Sequence, residues 1–138
     1  MHRNSDAQWV KMNFDIPCYD IEQEYLSVKE ELVINRPQDG HKDWFAASLF
    51  IKDNITEVGL KCTKTVEFIK SLPYDRLDDV RFLVIKPEGY IAEHSDVPEH
   101  NWLDTLNMSI SYPNGSKFIL NGEEVPYHKG AAFVLNVH

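Results

Sequence analysis

His94-Ser95-Asp96 is where chemistry is most legible in this chain. On a strand, residues i and i+2 point to the same side, so this spacing offers an imidazole nitrogen and a carboxylate oxygen to one point in space. Together they supply two of the three groups of a 2-His-1-carboxylate set. That set occupies one face of an octahedral Fe(II) and leaves the remaining positions for other ligands and O₂. His-x-Asp by itself is a short pattern that surface residues also produce, and its setting adds to it. Arg81 to Lys86 reads as a short apolar, β-branched strand, Pro87-Glu88-Gly89 as a turn, and Tyr90 to His94 as a second strand. Several short strands follow, which is what returning a distant third ligand to the same point requires.

The elements that must position such a pair change character along the chain. In the N-terminal part, Asp20 with Gln23 three residues later resembles a capping box. Ile21, Tyr25, Val28 and Leu32 then recur at helical spacing, which predicts a helix ending near Asn35-Arg36-Pro37. Trp44 to Ile51 reads as a strand, and Lys64 to Leu72 as a second helix with Val66 and Ile69 inward, stopped by Pro73. After about residue 80 strands dominate: Leu106 to Tyr112, Lys117 to Leu120, Glu123 to Val125 and Ala131 to Val137. Asn121-Gly122 is the strongest hairpin signal, because both central residues of a type I′ turn need positive φ. The pattern predicts an α+β, mainly β chain: one domain, with an N-terminal α/β extension over 1–79 and a double-stranded β-helix (jelly-roll) core over 80–138.

Composition fits that reading. With 138 residues, 43% of them hydrophobic and 26% charged, the chain is long enough for one folded domain. Fourteen basic against 22 acidic residues leave a net charge of −8, which argues against nucleic acid or anionic lipid as the main partner. No apolar window approaches a membrane span and the first residues lack a secretory h-region, so a cytoplasmic protein is expected. Cys18 and Cys62 are too few for a disulfide scaffold or a zinc knuckle and are expected as free thiols.

The stretch from Arg81 to Asp96 resembles the first metal-binding segment of the cupin-like 2-oxoglutarate/Fe(II)-dependent oxygenases, in the branch like the aspartyl/asparaginyl β-hydroxylases. Gly130 to Val137 is similar to the strand that leads to that group's distal histidine, and His41 to Trp44 matches loosely. In the hydroxylases proper the residue two after the first histidine is usually not a carboxylate ligand. Asp96 moves this chain toward the wider His-x-Asp…His class.

The resemblance implies Fe(II) and 2-oxoglutarate as cofactors, with 2-oxoglutarate and O₂ giving succinate, CO₂ and a hydroxylated substrate. It implies His94 and Asp96 as metal ligands. The distal histidine is expected slightly beyond residue 138, so the chain reads as a fragment lacking its last strand, with His138 the alternative third ligand. In that case the strand Ala131 to Val137 would have one edge unpaired, through which two copies could pair.

Asn107, Ser109 and Ser111 alternate along the strand after the motif and are the candidates for the 2-oxoglutarate pocket, or else the polar outer face of an amphipathic strand. Trp102 is the candidate substrate contact. His100 is a weaker third-ligand candidate in a polar loop, His128 reads as a turn residue, and His41 and His2 carry no signal. Arg81 and Lys86 read as strand-flanking surface residues, and no arginine follows residue 81. The substrate class is a small molecule or a peptide side chain. Two rival readings are a cupin-type metalloenzyme that does not use 2-oxoglutarate and a non-enzymatic jelly-roll binding module.

Overall fold

The computed structural model describes residues 9–91, 105–113 and 115–135. In chain order its elements are β1 (Trp9–Met12), α1 (Cys18–Val28), β2 (Val33–Ile34), β3 (Trp44–Ile51), β4 (Asn54–Ile55), α2 (Glu57–Lys61), α3 (Thr63–Lys70), β5 (Asp79–Ile85), β6 (Thr105–Met108), β7 (Ile119–Leu120), β8 (Glu123–Glu124) and β9 (Ala132–Leu135). Strands outnumber helices, as expected for a mainly β chain, and among the described residues no sheet closes into a barrel. The chain divides into two compact units, one of residues 1–19 with 94–138 and the other of residues 20–93.

In the second unit β3 is the central strand. β5 pairs antiparallel along one side of it, while β2 and β4 share the other. The register places Phe45 beside Val84 and Ala47 beside Phe82 on one face. Tyr25 of α1 meets Phe82 edge-on there, with ring centroids 5.6 Å apart. Ile21, Val28, Val66 and Ile69 are buried in this unit, as helical spacing requires of an inward stripe.

The two helical segments are tied together by Glu24. Its carboxylate accepts from the backbone N–H groups of Lys64 (3.0 Å) and Thr65 (2.6 Å) and from the Thr65 hydroxyl (2.7 Å). The first N–H groups of a helix lack intrahelical partners, and here a residue of α1 satisfies two of those of α3. α2 carries its own cap, with Thr56 Oγ1 accepting from Gly59 N–H at 3.0 Å. Asp20 lies in the first turn of α1, which begins at Cys18, so a capping box with Asp20 as N-cap places the start three residues late.

In the first unit β9 is central. β1 pairs with it on one side (Trp9 opposite Leu135, Met12 opposite Ala132) and β6 on the other (Thr105 opposite Leu135, Met108 opposite Ala132). This corrects the expected unpaired edge: over Ala132–Leu135 both edges are taken, so that stretch offers no free ladder to a second copy. The partner on the far side is β1, a four-residue strand whose mixed Trp-Val-Lys-Met sequence gives no alternation signal. β7 and β8 form a hairpin around Asn121 (φ 50°) and Gly122 (φ 79°), the positive-φ pair that the sequence announced. Both cysteines are free thiols. No helix among the described residues is long and apolar enough to cross a membrane.

Candidate active site

Four of the sequence-derived site residues, His94, Asp96, Trp102 and His138, lie outside the described residues, as does His100. Among the described residues no three His, Cys, Asp or Glu side chains are grouped to hold a metal ion. The candidate co-substrate residues Asn107, Ser109 and Ser111 are described, on β6 and the loop that follows it.

Directly opposed residues of an antiparallel pair share a face. Asn107 stands opposite Phe133 and Thr105 opposite Leu135, so both lie on the face of β9 that carries Phe133 and Leu135. This face is the floor of a buried cluster of Val125, Ala131, Phe133 and Leu135, against which Trp9, Phe118, Leu120 and Tyr127 pack. Asn107 is half-buried at its margin. Leu106 and Met108, opposite Val134 and Ala132, belong to the other face.

The three alternating polar residues are not equivalent, because β6 ends at Met108. Ser109 turns into a loop and is buried, its N–H donating to Ala131 O (2.9 Å) and its carbonyl accepting from Gly130 N–H (2.7 Å). Gly130 sits at φ 84°, where a side chain is strained, so this loop-to-loop clasp requires glycine. Ser111 is exposed. The structure therefore brings Asn107 to the cluster, holds Ser109 in the backbone clasp, and leaves Ser111 at the surface. His128 is an exposed turn residue whose Nδ1 lies 3.0 Å from Lys129 O.

Tyr127 is the polar residue that sequence reasoning passed over. Its ring lies 4.8 Å from Phe133 edge-on, 5.3 Å from Phe118, and 5.7 Å from Tyr112 in a stack. Its hydroxyl is buried and has no hydrogen-bond partner among the described residues. Burial, and secondarily Tyr112, pushes the phenol far above its ordinary value, so it stays a neutral donor. A buried hydroxyl without a partner costs about 1–3 kcal/mol, and a site that receives an oxygen-rich ligand recovers that cost on binding. The sequence signal for it is an aromatic hydroxyl in Pro126-Tyr127-His128, a segment that otherwise reads as a turn.

In the second unit His41 is buried with its ring edge-on to Trp44 at 5.1 Å, and Lys86 Nζ lies 5.1 Å from the centre of the Phe45 ring. Arg81 is not strand-flanking: it sits within β5 opposite Ser48 and donates to Asn35 Oδ1 at 3.1 Å. Cys62 is fully buried, and burial, then Glu24 and Glu31, push its thiol up to about 11, which excludes it as a nucleophile at neutral pH.

A mixed α/β chain, mostly strands, with a buried donor and a half-buried amide at one β cluster belongs to the class of small β-rich enzymes and binding domains. The family is settled by comparison: the model of the aspartyl/asparaginyl beta-hydroxylase family matches residues 18–138. The chain belongs to that family, and so to a family of hydroxylases. No curated protein and no solved structure matches it.

Proposed function

We propose that the chain carries Fe(II)- and 2-oxoglutarate-dependent hydroxylation of an amino-acid side chain or a small metabolite on a jelly-roll core. The observation that carries this reading is the family match over residues 18–138, which includes the His94-Ser95-Asp96 motif. The first unit supports the jelly-roll part. Phe118 and Leu120, from the hairpin segment, pack against a buried cluster that also holds Val125 and the β9 residues Phe133 and Leu135, the kind of core a β-sandwich requires.

His94 and Asp96 would hold the iron, with His138 or a later histidine as third ligand. Bound there with 2-oxoglutarate, Fe(II) supplies O₂ activation for C–H hydroxylation. The described residues fit an oxygen-rich co-substrate. Tyr127 contributes a neutral donor in an apolar surround, Asn107 an amide on the same face, and the aromatic cluster excludes water. Donors fixed in such a surround bind oxygen atoms without the reorganisation that water needs.

Succinate formation from 2-oxoglutarate in the presence of Fe(II) and O₂, followed with and without candidate amino-acid substrates, tests the reading. We expect metal-dependent succinate release and its loss in Asp96→Ala, which removes one protein ligand. Full turnover by Asp96→Ala excludes that residue as a ligand. Absence of 2-oxoglutarate consumption by the iron-loaded protein excludes the co-substrate.

A further inference from the structure

β5 is an edge strand with one side open. It pairs antiparallel with β3, and no other strand among the described residues lies along its far side. Lys86 N–H donates to Asp43 O at 3.0 Å, one step beyond Trp44 opposite Ile85. Antiparallel pairs alternate between hydrogen-bonded and non-bonded, so Val84 opposite Phe45 and Phe82 opposite Ala47 are the next bonded pairs. Arg81, Leu83 and Ile85 therefore turn their N–H and C=O groups outward, away from β3.

Edges of this kind template pairing, and proteins blunt them with short strands, proline, bulges or charged side chains. β5 runs seven residues, Asp79–Ile85, without a proline. Its register shift against β3 lies toward its start, at Ser48 and Phe50. Its mid-strand charge, Arg81, donates to Asn35 Oδ1 at 3.1 Å. Asn35 N–H is bonded to Trp44 O on the β2 side of β3, so that guanidinium does not guard the open side. Leu83 and Ile85 are 43% and 49% exposed.

What fits this edge is written in its own sequence. Val80, Phe82 and Val84 share the face that meets Tyr25, and they read the same in both directions about Phe82. A second β5 laid antiparallel about a two-fold axis at Phe82 sets Val80 opposite the partner's Val84 and Phe82 opposite the partner's Phe82. On the other face it sets Arg81 opposite the partner's Leu83 and Asp79 opposite the partner's Ile85. Every outward-turned residue then meets another, which is the phase an antiparallel ladder needs. Moving the axis to Arg81 keeps the phase but sets two arginines directly opposite each other. Moving it to Leu83 brings Pro87, which has no N–H, opposite Asp79. The chain carries a net charge of −8, yet β5 holds one acid and one base, so self-repulsion between copies is weak along this edge.

We propose that the chain forms a two-fold dimer in which β5 pairs with β5 of a second copy about Phe82, joining their two four-stranded sheets. Such pairing uses the same edge on both copies and closes, so assembly stops at two. This dimer does not depend on the hydroxylase reading.

Sedimentation velocity of the full chain from about 1 to about 100 µM tests it, with Leu83→Lys and Leu83→Glu beside the wild type. The two-fold places residue 83 against the partner's Arg81. Lysine there sets cation against cation, whereas glutamate sets an acid against the arginine. Leu83→Glu should therefore dimerise at least tenfold more tightly than Leu83→Lys. Hydrogen exchange of the wild type, which needs no variant, should slow at the Arg81, Leu83 and Ile85 amides as concentration rises.

A wild type that stays monomeric at about 100 µM overturns the dimer. So do assemblies larger than two, and so do equal dissociation constants for the two variants, which mark apolar adhesion without this register. Exchange at those three amides that ignores concentration overturns it as well, because the edge is then covered within one chain or not covered at all.

Discussion

Two residues show how single polar groups are used in this molecule. Burial would raise the Glu24 carboxyl, yet the hydrogen bonds from Thr65 and from the Lys64 and Thr65 amides, with the Lys64 charge, outweigh it and hold the group below its ordinary 4.5. A carboxyl depressed in the folded state contributes stability that is present above its unfolded value and lost as pH falls through the folded one. Glu24→Ala should therefore cost about 1 kcal/mol at neutral pH, as loss of a helix cap does. Its denaturation midpoint should converge on the wild-type value below the carboxylate range, and chemical denaturation across about pH 3–7 reads this out.

Tyr127 has the opposite arithmetic. Removing an unsatisfied buried hydroxyl leaves packing intact, so Tyr127→Phe should be neutral or about 1 kcal/mol more stable without ligand, and should bind 2-oxoglutarate more weakly. Because the folded phenol resists ionisation, the wild type should also lose stability as pH rises past the ordinary 10.0, and the variant should not share that loss. A lowered melting temperature for the variant at neutral pH would mean that the hydroxyl already has a structural partner.

At the scale of elements, close approach and turn geometry set the sensitive positions. A Cβ on Gly59 would stand 2.5 Å from Leu49 O and 2.7 Å from Ile55 Cγ1, so α2 can lie against β3 only because that residue has no side chain. Gly59→Ala should cost about 1–3 kcal/mol in thermal or denaturant unfolding, the usual penalty for overpacking a site whose backbone must move. A result within a few tenths would show that α2 shifts freely.

The same elements show how much of the structure was readable in advance. Trp44–Ile51 was legible to the residue because a long apolar run with β-branched and aromatic members has one good home, a central strand. Asn121-Gly122 was legible because its turn type demands those residues. The helix over Lys64 to Leu72 was displaced by one or two residues from Thr63–Lys70, since its N-terminus is capped by the distant Glu24 and not by a neighbour. β1, β2 and β4 carry four or two residues each, too short for any period to register, and they exist because a longer strand supplies the ladder. The site shows the same division. His94 and Asp96 stand out in the sequence by type and spacing and lie outside the described residues, whereas Asn107 comes to the Phe133 face only through the pairing of β6 with β9, strands far apart in sequence.

For the molecule as a whole, the pairing of β1 with β9 makes the first unit discontinuous, with residues from both ends of the chain and the second unit's sequence between them. Trp9 packs on the cluster that contains Phe133 and Leu135, so the N-terminal strand is a structural part of that cluster. A chain lacking residues 1–12 should lose protection at the amides of Ala132–Leu135 in hydrogen exchange, while those of β3 and β5 keep theirs. Equal loss in both sheets would show that the two units unfold as one.

That closure also sets a timetable during synthesis. Met12 must wait for Ala132, about 120 residues later, before its ladder can form. At roughly 5–20 residues per second this is a delay of about 6–24 s in the cell. Residues 20–93 have all their partners early and can collapse while translation continues, but Trp9 and Val10 leave the ribosome with nothing to pair with. The chain is thus exposed at its oldest end for most of its own making. Slowing translation ahead of residue 132 should therefore raise aggregation or chaperone capture of the nascent chain, an effect that swapping synonymous codons near that point would bring out.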